Sequence, residues 1–370
     1  MKLLVVTLAP TLQKQDGLYS YAPYVKEMNL WFSHVDKVTI VSPTKYEKSL
    51  LLAPFLRKDV NVVSIPWISF NRIDAALVSV LLLPYIFLKL CSAMAKADHI
   101  HLRCPGNIGL LGAMAQLFFP KKTKTAKYAG NWDPKATQPL SYRLQKWILS
   151  SPLLTKNMQV LVYGDWPNQS KNITPFFTAS YASDKVKEST PKAFAAPYRF
   201  IFVGTLAVGK RPLYAIQLVE KLHLNGIACR LDLYGDGAER TALETYITEH
   251  SLAELIILHG NQSSEVVEAA YQQSDFLLLP SQSEGWPKVV AEAMFWGVIP
   301  LVTRISCVPW MLGQGKRGRF LSLDLDQDKH TIVQLLQNKE TLQTMSSEGQ
   351  KFAQQYTLDS FEAAIKKLLV

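Results

Sequence analysis

The amino-acid sequence predicts an α/β protein with two Rossmann-like domains, each built on a parallel sheet. Apolar strand candidates alternate with helical segments along the whole chain, which is the pattern of parallel sheets joined by crossover helices. These candidates fall into two sets of six, with a polar segment between the sets. The length of 370 residues, of which 48% are hydrophobic and 19% charged, is ordinary for a globular protein and suggests two domains.

The two sets of strands define the expected domains. In the first set, strands are predicted at 2–8, 37–41, 61–65, 99–103, 124–128 and 158–162. In the second set, strands are predicted at 199–203, 230–234, 254–259, 276–279, 298–302 and 318–321. Residues 179–197 include Pro191 and Pro197 and show no apolar period, so they are the predicted linker. We therefore expect an N-terminal domain at 1–180 and a C-terminal domain at 195–355.

The most informative stretch is 283–297, Ser-Glu-Gly-Trp-Pro-Lys-Val-Val-Ala-Glu-Ala-Met-Phe-Trp-Gly. Pro287 suits the first turn of a helix, so Glu284 is expected on the loop before that helix and Glu292 inside it. The helix N-terminus between them offers free N–H groups and a positive dipole end to an anion. Two carboxylates beside an anion site suit a ligand with a diphosphate between two polyhydroxyl rings, which describes a nucleotide sugar. The alternative is two solvated glutamates near a helix start, where acidic residues are favoured.

This stretch resembles the Glu-x7-Glu signature of retaining GT-B glycosyltransferases, glycosyltransferase family 4, through its sequence Glu-Gly-Trp-Pro-Lys-Val-Val-Ala-Glu-Ala-Met. The resemblance implies a GT-B fold with two Rossmann-like domains facing a central cleft, and a C-terminal helix, here 356–370, that packs back on the first domain. It also implies that Glu284 contacts the donor sugar hydroxyls and that Glu292 holds the nucleotide ribose. The residues between them are expected to line the donor site: Gly285, Trp286, Pro287, Lys288 and Val289.

The activity implied by the resemblance is transfer of a sugar, with retention, from a nucleotide diphosphate sugar to a glycan or lipid-linked glycan acceptor, in bacterial cell-surface polysaccharide biosynthesis. Retaining members of the family need no metal, so no metal or cofactor is expected besides the nucleotide sugar substrate. Two other classes stay open. One is a GT-B phosphorylase or nucleotide-sugar epimerase, and the other is a non-catalytic protein that binds nucleotide sugars or acts as a scaffold.

A basic pair follows the first strand of the second set. The segment 202–212, Phe-Val-Gly-Thr-Leu-Ala-Val-Gly-Lys-Arg-Pro, resembles the family's Gly-Arg-Leu…Lys-Gly segment, whose basic pair neutralises the donor diphosphate. Lys210 corresponds to the family lysine, and Thr205, after Gly204, replaces the family arginine. Arg211 is an additional cation, so either Lys210 and Arg211 rebuild the pair or one charge is missing. A cation here would stabilise the charge that develops on the leaving diphosphate. Alternatively, both residues only begin the next helix on a solvated loop.

Two further segments of the second half resemble donor-binding turns of the family. Gly235 lies in Tyr-Gly-Asp-Gly, which matches the family's Gly-x-Gly turn, where glycine lets the backbone turn tightly and approach a ligand. Gly260 and Asn261 lie in His-Gly-Asn-Gln, which matches the segment near the nucleotide base. The family makes the base contact with main-chain groups, so these side chains do not identify the base.

In the first half of the chain the resemblance is one of topology. Asp16 and Gly17 follow the first strand, where the family usually has two glycines in a loop that contacts the donor phosphate and the acceptor. Arg103 begins a predicted acceptor-side loop. The family often has a histidine after its fifth strand, and this chain has none there. The residues expected in that acceptor-side region are Asn131, Trp132 and Asp133.

Charge and apolar clustering suggest a membrane surface as a further partner. The net charge is +10, and no nucleic-acid motif accompanies the basic residues, so no nucleic-acid partner is expected. The densest basic cluster consists of Lys121, Lys122, Lys124 and Lys127. It is read either as a solvated face or as one that meets anionic lipid. The apolar run 75–88 is interrupted by Pro84, which favours a buried or interfacial helix over a membrane span.

The four cysteines form no CxxC pair and no metal-ligand spacing, as expected for reduced cytosolic thiols. Reduced thiols predict a cytoplasmic location. Together with the basic and apolar clusters, this leads us to expect a cytoplasmic protein that associates peripherally with the inner face of a membrane.

Overall fold

The computed structural model describes residues 1–46, 50–186 and 192–369. The chain divides into two compact units. Unit 1 comprises Met1–Phe176 and Glu362–Val370, and unit 2 comprises Phe177–Phe361. The predicted linker 179–197 begins within unit 2, and its residues 187–191 lie outside the described part of the chain.

Unit 1 contains a seven-stranded parallel sheet and a small antiparallel one. Its strands are β1 (Lys2–Val6), β2 (Leu12–Lys14), β3 (Gly17–Tyr21), β4 (Lys37–Pro43), β5 (Leu52–Pro54), β6 (Val60–Ile65), β7 (His99–Cys104), β8 (Thr123–Tyr128), β9 (Met158–Tyr163) and β10 (Ile173–Phe176). Its helices are α1 (Ala22–Phe32), α2 (Ile73–Lys96), α3 (Asn107–Ala115) and α4 (Leu140–Leu149). The strand order of the large sheet is β10-β9-β8-β7-β1-β4-β6, with every neighbouring pair parallel.

Unit 2 contains a six-stranded parallel sheet. Its strands are β11 (Tyr198–Val203), β12 (Cys229–Tyr234), β13 (Ile256–Gly260), β14 (Phe276–Leu279), β15 (Ile299–Thr303) and β16 (Arg319–Leu321), in the order β13-β12-β11-β14-β15-β16. Its helices are α5 (Pro212–Leu224), α6 (Arg240–Glu249), α7 (Ser264–Gln273), α8 (Lys288–Phe295), α9 (Val308–Met311), α10 (Leu325–Leu336) and α11 (Lys339–Ala353). The last helix, α12 (Leu358–Leu368), begins in unit 2 and ends in residues that cluster with unit 1.

The predicted α/β class with two parallel sheets is confirmed. Each of the twelve predicted strands is present, with ends within two residues of the prediction. The cores explain why these strands could be recognised: Phe200, Ile201 and Phe202 of β11 are all fully buried. A strand with helices on both faces is apolar along its whole length, so it stands out in the sequence.

Four strands were not predicted. Strand β10 extends the large sheet at its edge and contains Pro175, and an edge strand tolerates proline because one side of its backbone needs no partner. Strands β2, β3 and β5 form the small antiparallel sheet. The segment of Asp16 and Gly17, expected in a loop between the first strand and a helix, lies at the hairpin of this small sheet. Asp16 lies in the turn of the β2–β3 hairpin, and Gly17 is the first residue of β3, with a φ of +151°.

Two of the four lysines in the predicted basic cluster are buried. Lys124 and Lys127 lie on β8 and are 1% and 0% exposed. Burial lowers the pKa of Lys124 to about 8, and its ammonium donates to the carbonyl of Phe119 at 2.8 Å. Lys127 pairs with Glu27 at 3.0 Å. These two lysines therefore cannot meet a lipid surface.

Helix α2 contains the predicted apolar run, continues through Pro84 and ends at Lys96. Among the described residues it is the one helix long and apolar enough, by length and composition alone, to cross a membrane, and 28% of its most apolar 18-residue stretch is buried in the protein.

Candidate functional site

The loops that follow β11 and β14 meet at the carboxyl edge of the unit 2 sheet. The chain passes from β11 to β12 on one side, while β14 lies on the other side of β11. This is the topological switch point, where open parallel sheets bind ligands. The backbone N–H of Gln282 donates to the carbonyl of Gly209 at 2.8 Å, so the two loops are joined directly.

An ion pair bridges these two loops. Lys210, after β11, pairs with Glu284, after β14, and the side chains are 31% and 12% exposed. The neighbouring Arg211 has a left-handed backbone conformation and donates from its guanidinium to the carbonyl of Pro280 at 3.1 Å. Lys210 is therefore the cation that faces Glu284, while Arg211 fixes the backbone at the end of β14. Thr205, which stands where the family has an arginine, is exposed.

Helix α8 begins beside this ion pair. Its cap residue is Pro287, one position earlier than the first-turn placement expected from the sequence, and no side chain caps the helix. The first N–H groups of the helix are thus left without a side-chain acceptor, as an anion site requires. Glu284 lies on the loop before the helix and Glu292 inside it, as the spacing predicted. The first helical residues, Lys288 and Val289, are half-buried.

Glu292 is held by two hydroxyl groups of unit 2. Ser180 Oγ donates to Glu292 Oε1, and the Tyr271 hydroxyl donates to Oε2 at 3.5 Å. Burial and the Glu292 charge raise the pKa of Tyr271 and of Tyr181, so both phenols stay protonated. Sequence reasoning missed both partners, because Ser180 falls in the segment interpreted as linker and the contact of Tyr271 joins two different helices, α7 and α8.

Two side chains that follow β15 donate hydrogen bonds to the loop between the two glutamates. Ser306 Oγ donates to the carbonyl of Gly285 at 3.0 Å, and the Cys307 thiol donates to the same carbonyl at 3.3 Å. Burial raises the pKa of that thiol to about 12, so it stays neutral. Trp286 was expected to line the donor site, but its ring is 7% exposed and packs at a centroid distance of 5.7 Å from Tyr356. A donor could therefore meet the backbone of this loop more readily than the indole.

Three glycines bring the ends of β11, β12 and β13 together. The N–H of Gly204 donates to Tyr234 O at 2.9 Å, and the N–H of Gly235 donates to Gly260 O at 2.8 Å. An added Cβ on Gly235 would lie 2.0 Å from the carbonyl oxygen of Gly204, so only glycine fits this turn. Asn261 follows Gly260 and is exposed. The predicted donor residues of the second half thus lie along one edge of the unit 2 sheet.

The acceptor-side residues predicted in unit 1 have structural partners. Arg103, 14% exposed, pairs with Glu27, which also pairs with Lys127. Burial raises the pKa of Glu27, but the two cations outweigh this effect and hold the pKa at about 2. Asp16 accepts a hydrogen bond from the hydroxyl of Tyr19.

The segment that replaces the family histidine is also anchored locally. The Trp132 ring is 1% exposed and donates through Nε1 to Gln169 at 3.0 Å, so the structure places it in the core of unit 1 and not at a ligand surface. Asn131 Oδ1 accepts from the N–H of Asp133 at 2.9 Å, and Asp133 Oδ1 accepts from the N–H of Lys135 at 2.8 Å. Throughout the described ranges, no group of three or more His, Cys, Asp or Glu side chains is placed to hold a metal ion.

Sequence comparisons match part of the chain to proteins described as glycosyltransferases. Residues 185–352 match the family model described as Glycosyl transferases group 1. A protein described as an uncharacterized glycosyltransferase of Methanocaldococcus jannaschii is 24% identical over 173 residues, which are 46% of this chain and 48% of that protein. A putative colanic acid biosynthesis glycosyltransferase, WcaL of Salmonella typhimurium, is 32% identical over 133 residues, 34% of this chain and 33% of that protein. The chain thus spans between a third and half of the length of these relatives.

Solved structures match the whole chain. The apo form of the lipopolysaccharide outer core galactosyltransferase WaaB has a TM-score of 0.71 at 15% identity, covering 100% of this chain and 99% of that one. HepE of Anabaena, in complex with UDP and glucose, has a TM-score of 0.65 at 14% identity, with coverages of 100% and 99%. At such identities the likeness shows the fold alone, and the predicted GT-B fold is confirmed.

Proposed function

We propose that this protein is a retaining glycosyltransferase of family 4 that moves a sugar from a nucleotide diphosphate sugar to a glycan or lipid-linked glycan acceptor in cell-surface polysaccharide biosynthesis. One observation carries the proposal. A cation and a carboxylate, Lys210 and Glu284, meet at the switch point of the unit 2 sheet, directly before the uncapped N-terminus of α8.

In this proposal, each group of the site holds one part of the donor. The diphosphate lies against the α8 N-terminus and Lys210, because both carry positive potential. The donor sugar lies at Glu284, and the ribose lies at Glu292 one helix turn inside α8. Glycines at 204, 235 and 260 allow the backbone of three strand ends to approach the nucleotide closely.

Transfer then requires little covalent participation by the protein. The acceptor hydroxyl attacks the anomeric carbon, the bond from that carbon to the diphosphate oxygen breaks, and the acceptor proton passes to the leaving phosphate. Negative charge grows on the diphosphate during this step, and a fixed cation stabilises it more strongly than it stabilises the ground state. Lys210 is paired with Glu284 before the donor binds. The diphosphate would therefore take over Lys210 and leave Glu284 free for the sugar hydroxyls.

The relatives support this substrate class without fixing it. WcaL is named for colanic acid biosynthesis, another relative is named alpha-D-kanosaminyltransferase, and the HepE structure holds UDP and glucose. These descriptions belong to those proteins. For this chain, an acceptor carried on a lipid would bring the enzyme to the cytoplasmic face of a membrane.

A panel of nucleotide sugars tests the proposal in two steps. Thermal shift identifies the donor, because a bound ligand stabilises the folded state by mass action. Release of free sugar from that donor is then measured for the wild type, for Glu284→Gln and for Glu249→Gln, an exposed glutamate of unit 2 that serves as the control. We expect slow hydrolysis by the wild type and the control, and strongly reduced hydrolysis with unchanged nucleotide affinity for Glu284→Gln.

Other outcomes would redirect the assignment. Donor binding without turnover, in the presence of acceptor glycans, would make the chain a non-catalytic nucleotide-sugar-binding protein. Conversion of the nucleotide sugar to its epimer would make it a GT-B epimerase. With an acceptor in hand, the anomeric configuration of the product, read by NMR, tests retention directly.

A further inference from the structure

Helix α2 is apolar on two opposite faces. Its inner face, with Ile86, Leu90 and Met94, is fully buried in the core of unit 1. Its outer face is exposed to solvent and equally apolar. The exposed fractions are 84% for Ile73, 65% for Leu77, 79% for Leu81 and 68% for Leu88. The spacing of four, four and seven residues places these side chains in one stripe, which we call the outer stripe.

Aromatic side chains extend the outer stripe. Trp67 and Phe70, just before α2, are 41% and 45% exposed, and Tyr85 on the helix is 49% exposed. On the other flank, Phe118 is 69% exposed and its ring lies 6.0 Å from that of Phe87. Proteins that stay free in water rarely expose a continuous apolar surface of this kind, so it is expected to meet another apolar phase.

A basic groove borders the outer stripe. Beside α2, the large sheet leaves an open groove of about 760 Å³, which is lined by residues of β1, β4, β6 and α2. Four lysines line it, two from strand starts and two from α2: Lys2, Lys37, Lys89 and Lys96.

The groove is cationic because four lysines line it and no aspartate or glutamate is among the described residues of its lining. Of the two aspartates next to lining residues in the chain, Asp36 accepts from the N-terminal amino group, and Asp98 accepts from the backbone N–H of Lys2 at 2.7 Å. On the opposite side of α2, Lys122 caps the carbonyls at the helix end, and Lys121 is exposed beside it.

We propose that unit 1 docks on an anionic lipid bilayer through the outer stripe of α2, with lipid phosphate groups held in the lysine-lined groove. An apolar stripe with a cationic border matches the acyl and headgroup layers of such a bilayer. The helix lies on the membrane and does not cross it, because crossing would remove Ile86, Leu90 and Met94 from the core. A second copy of the chain is the alternative occupant of the outer stripe, and the oligomeric state in solution distinguishes the two. The inference does not depend on sugar transfer.

Vesicle cosedimentation of the full-length protein tests the stripe. Vesicles of phosphatidylcholine alone are compared with phosphatidylcholine–phosphatidylglycerol mixtures at low and high salt. Leu81→Asp is compared with Leu224→Asp, a leucine of unit 2 with nearly the same exposed fraction, 79% against 77%. We expect Leu81→Asp to weaken binding to the mixed vesicles at least about tenfold, the scale of withdrawing one leucine from an apolar phase. Leu224→Asp should bind like the wild type.

A charge-reversed pair tests the groove. The test variant carries Lys37→Glu and Lys96→Glu together. The control variant carries Lys339→Glu and Lys351→Glu, two exposed lysines of unit 2, and has the same net charge. Only the groove pair should lower binding to the mixed vesicles by about tenfold or more, and added salt should reduce the difference between them.

Any of five results would overturn the proposal. For the stripe, these are wild-type protein that binds no vesicles at low salt, and equal binding of Leu81→Asp and Leu224→Asp. For the groove, they are equal binding of the two charge-reversed pairs, and equal binding of the wild type to neutral and anionic vesicles. The fifth is a wild-type dimer in solution that Leu81→Asp converts to a monomer, which would assign the stripe to a second copy. Unchanged melting temperatures confirm that each variant is folded.

Discussion

Glu292 offers the sharpest test of the donor site, through the substitution Glu292→Ala. A carboxylate has about four acceptor positions. Ser180 and Tyr271 occupy two of them, one on each oxygen, and leave two that can accept from the two ribose hydroxyls. A hydrogen bond to a charged group contributes about 1.5–3 kcal/mol. Loss of two such bonds therefore predicts at least about 3 kcal/mol, or roughly a 100-fold weaker nucleotide affinity.

Isothermal titration calorimetry with the free nucleoside diphosphate measures this effect without turnover. Ser180→Ala is the matched control, because it removes a partner of the carboxylate but leaves the carboxylate in place. We expect it to weaken binding by only a few-fold. The melting temperature of each variant separates a binding defect from a folding defect. An affinity for Glu292→Ala equal to that of the wild type, in a folded protein, would refute the assignment of the ribose to α8.

Further predictions concern the diphosphate, the buried ion network and the strand-end turns. Lys210→Ala should lower kcat by about 10²-fold, the scale of losing one contact to the leaving group. Arg211→Ala should change kcat far less, because its guanidinium donates to a backbone carbonyl; the reverse order would move the diphosphate role to Arg211. Glu27 has a pKa of about 2 in the folded protein, lowered from 4.5. Its stabilisation is therefore present above pH 4.5 and lost as the pH falls towards 2. In urea unfolding, the stability difference between the wild type and Glu27→Gln should shrink by about 3 kcal/mol over that range, and a constant difference would contradict this reasoning. Gly235→Ala should cost roughly 2–5 kcal/mol of unfolding free energy, because its Cβ would lie 2.0 Å from a carbonyl oxygen. Gly226→Ala, also at positive φ but with no atom within 4 Å, should cost only about 1 kcal/mol; equal costs would contradict the close approach of the turns.

The features that sequence reasoning placed well are those that local pattern determines. Glu284 and Glu292 occupy the loop and the helix as expected, because Pro287 marks the beginning of α8 and seven residues lie between the two glutamates. The strands of both large sheets were recognised because a strand buried on two faces is a continuous apolar run. Their pairing into two sheets followed from the alternation with helices.

The features that sequence reasoning missed depend on contacts between residues that are distant in the chain. Strands β2 and β5 have three residues each, too few to show a pattern before they pair through β3. Lys127 looked like part of a surface cluster, yet it is buried because Glu27 of α1 supplies its counter-charge. Ser180 was hidden in the predicted linker, although its hydroxyl donates to Glu292. In each case the partner lies far away in the chain, where periodicity and propensity carry no information.

The most direct test of the donor site is a crystal structure with the nucleoside diphosphate that gives the largest thermal shift. The account predicts diphosphate oxygens within hydrogen-bond distance of Lys210 Nζ and of the first N–H groups of α8, with both ribose hydroxyls on the carboxylate of Glu292. A nucleotide that leaves Lys210 and Glu292 untouched, or one whose diphosphate lies in the lysine-lined groove of unit 1, would contradict it.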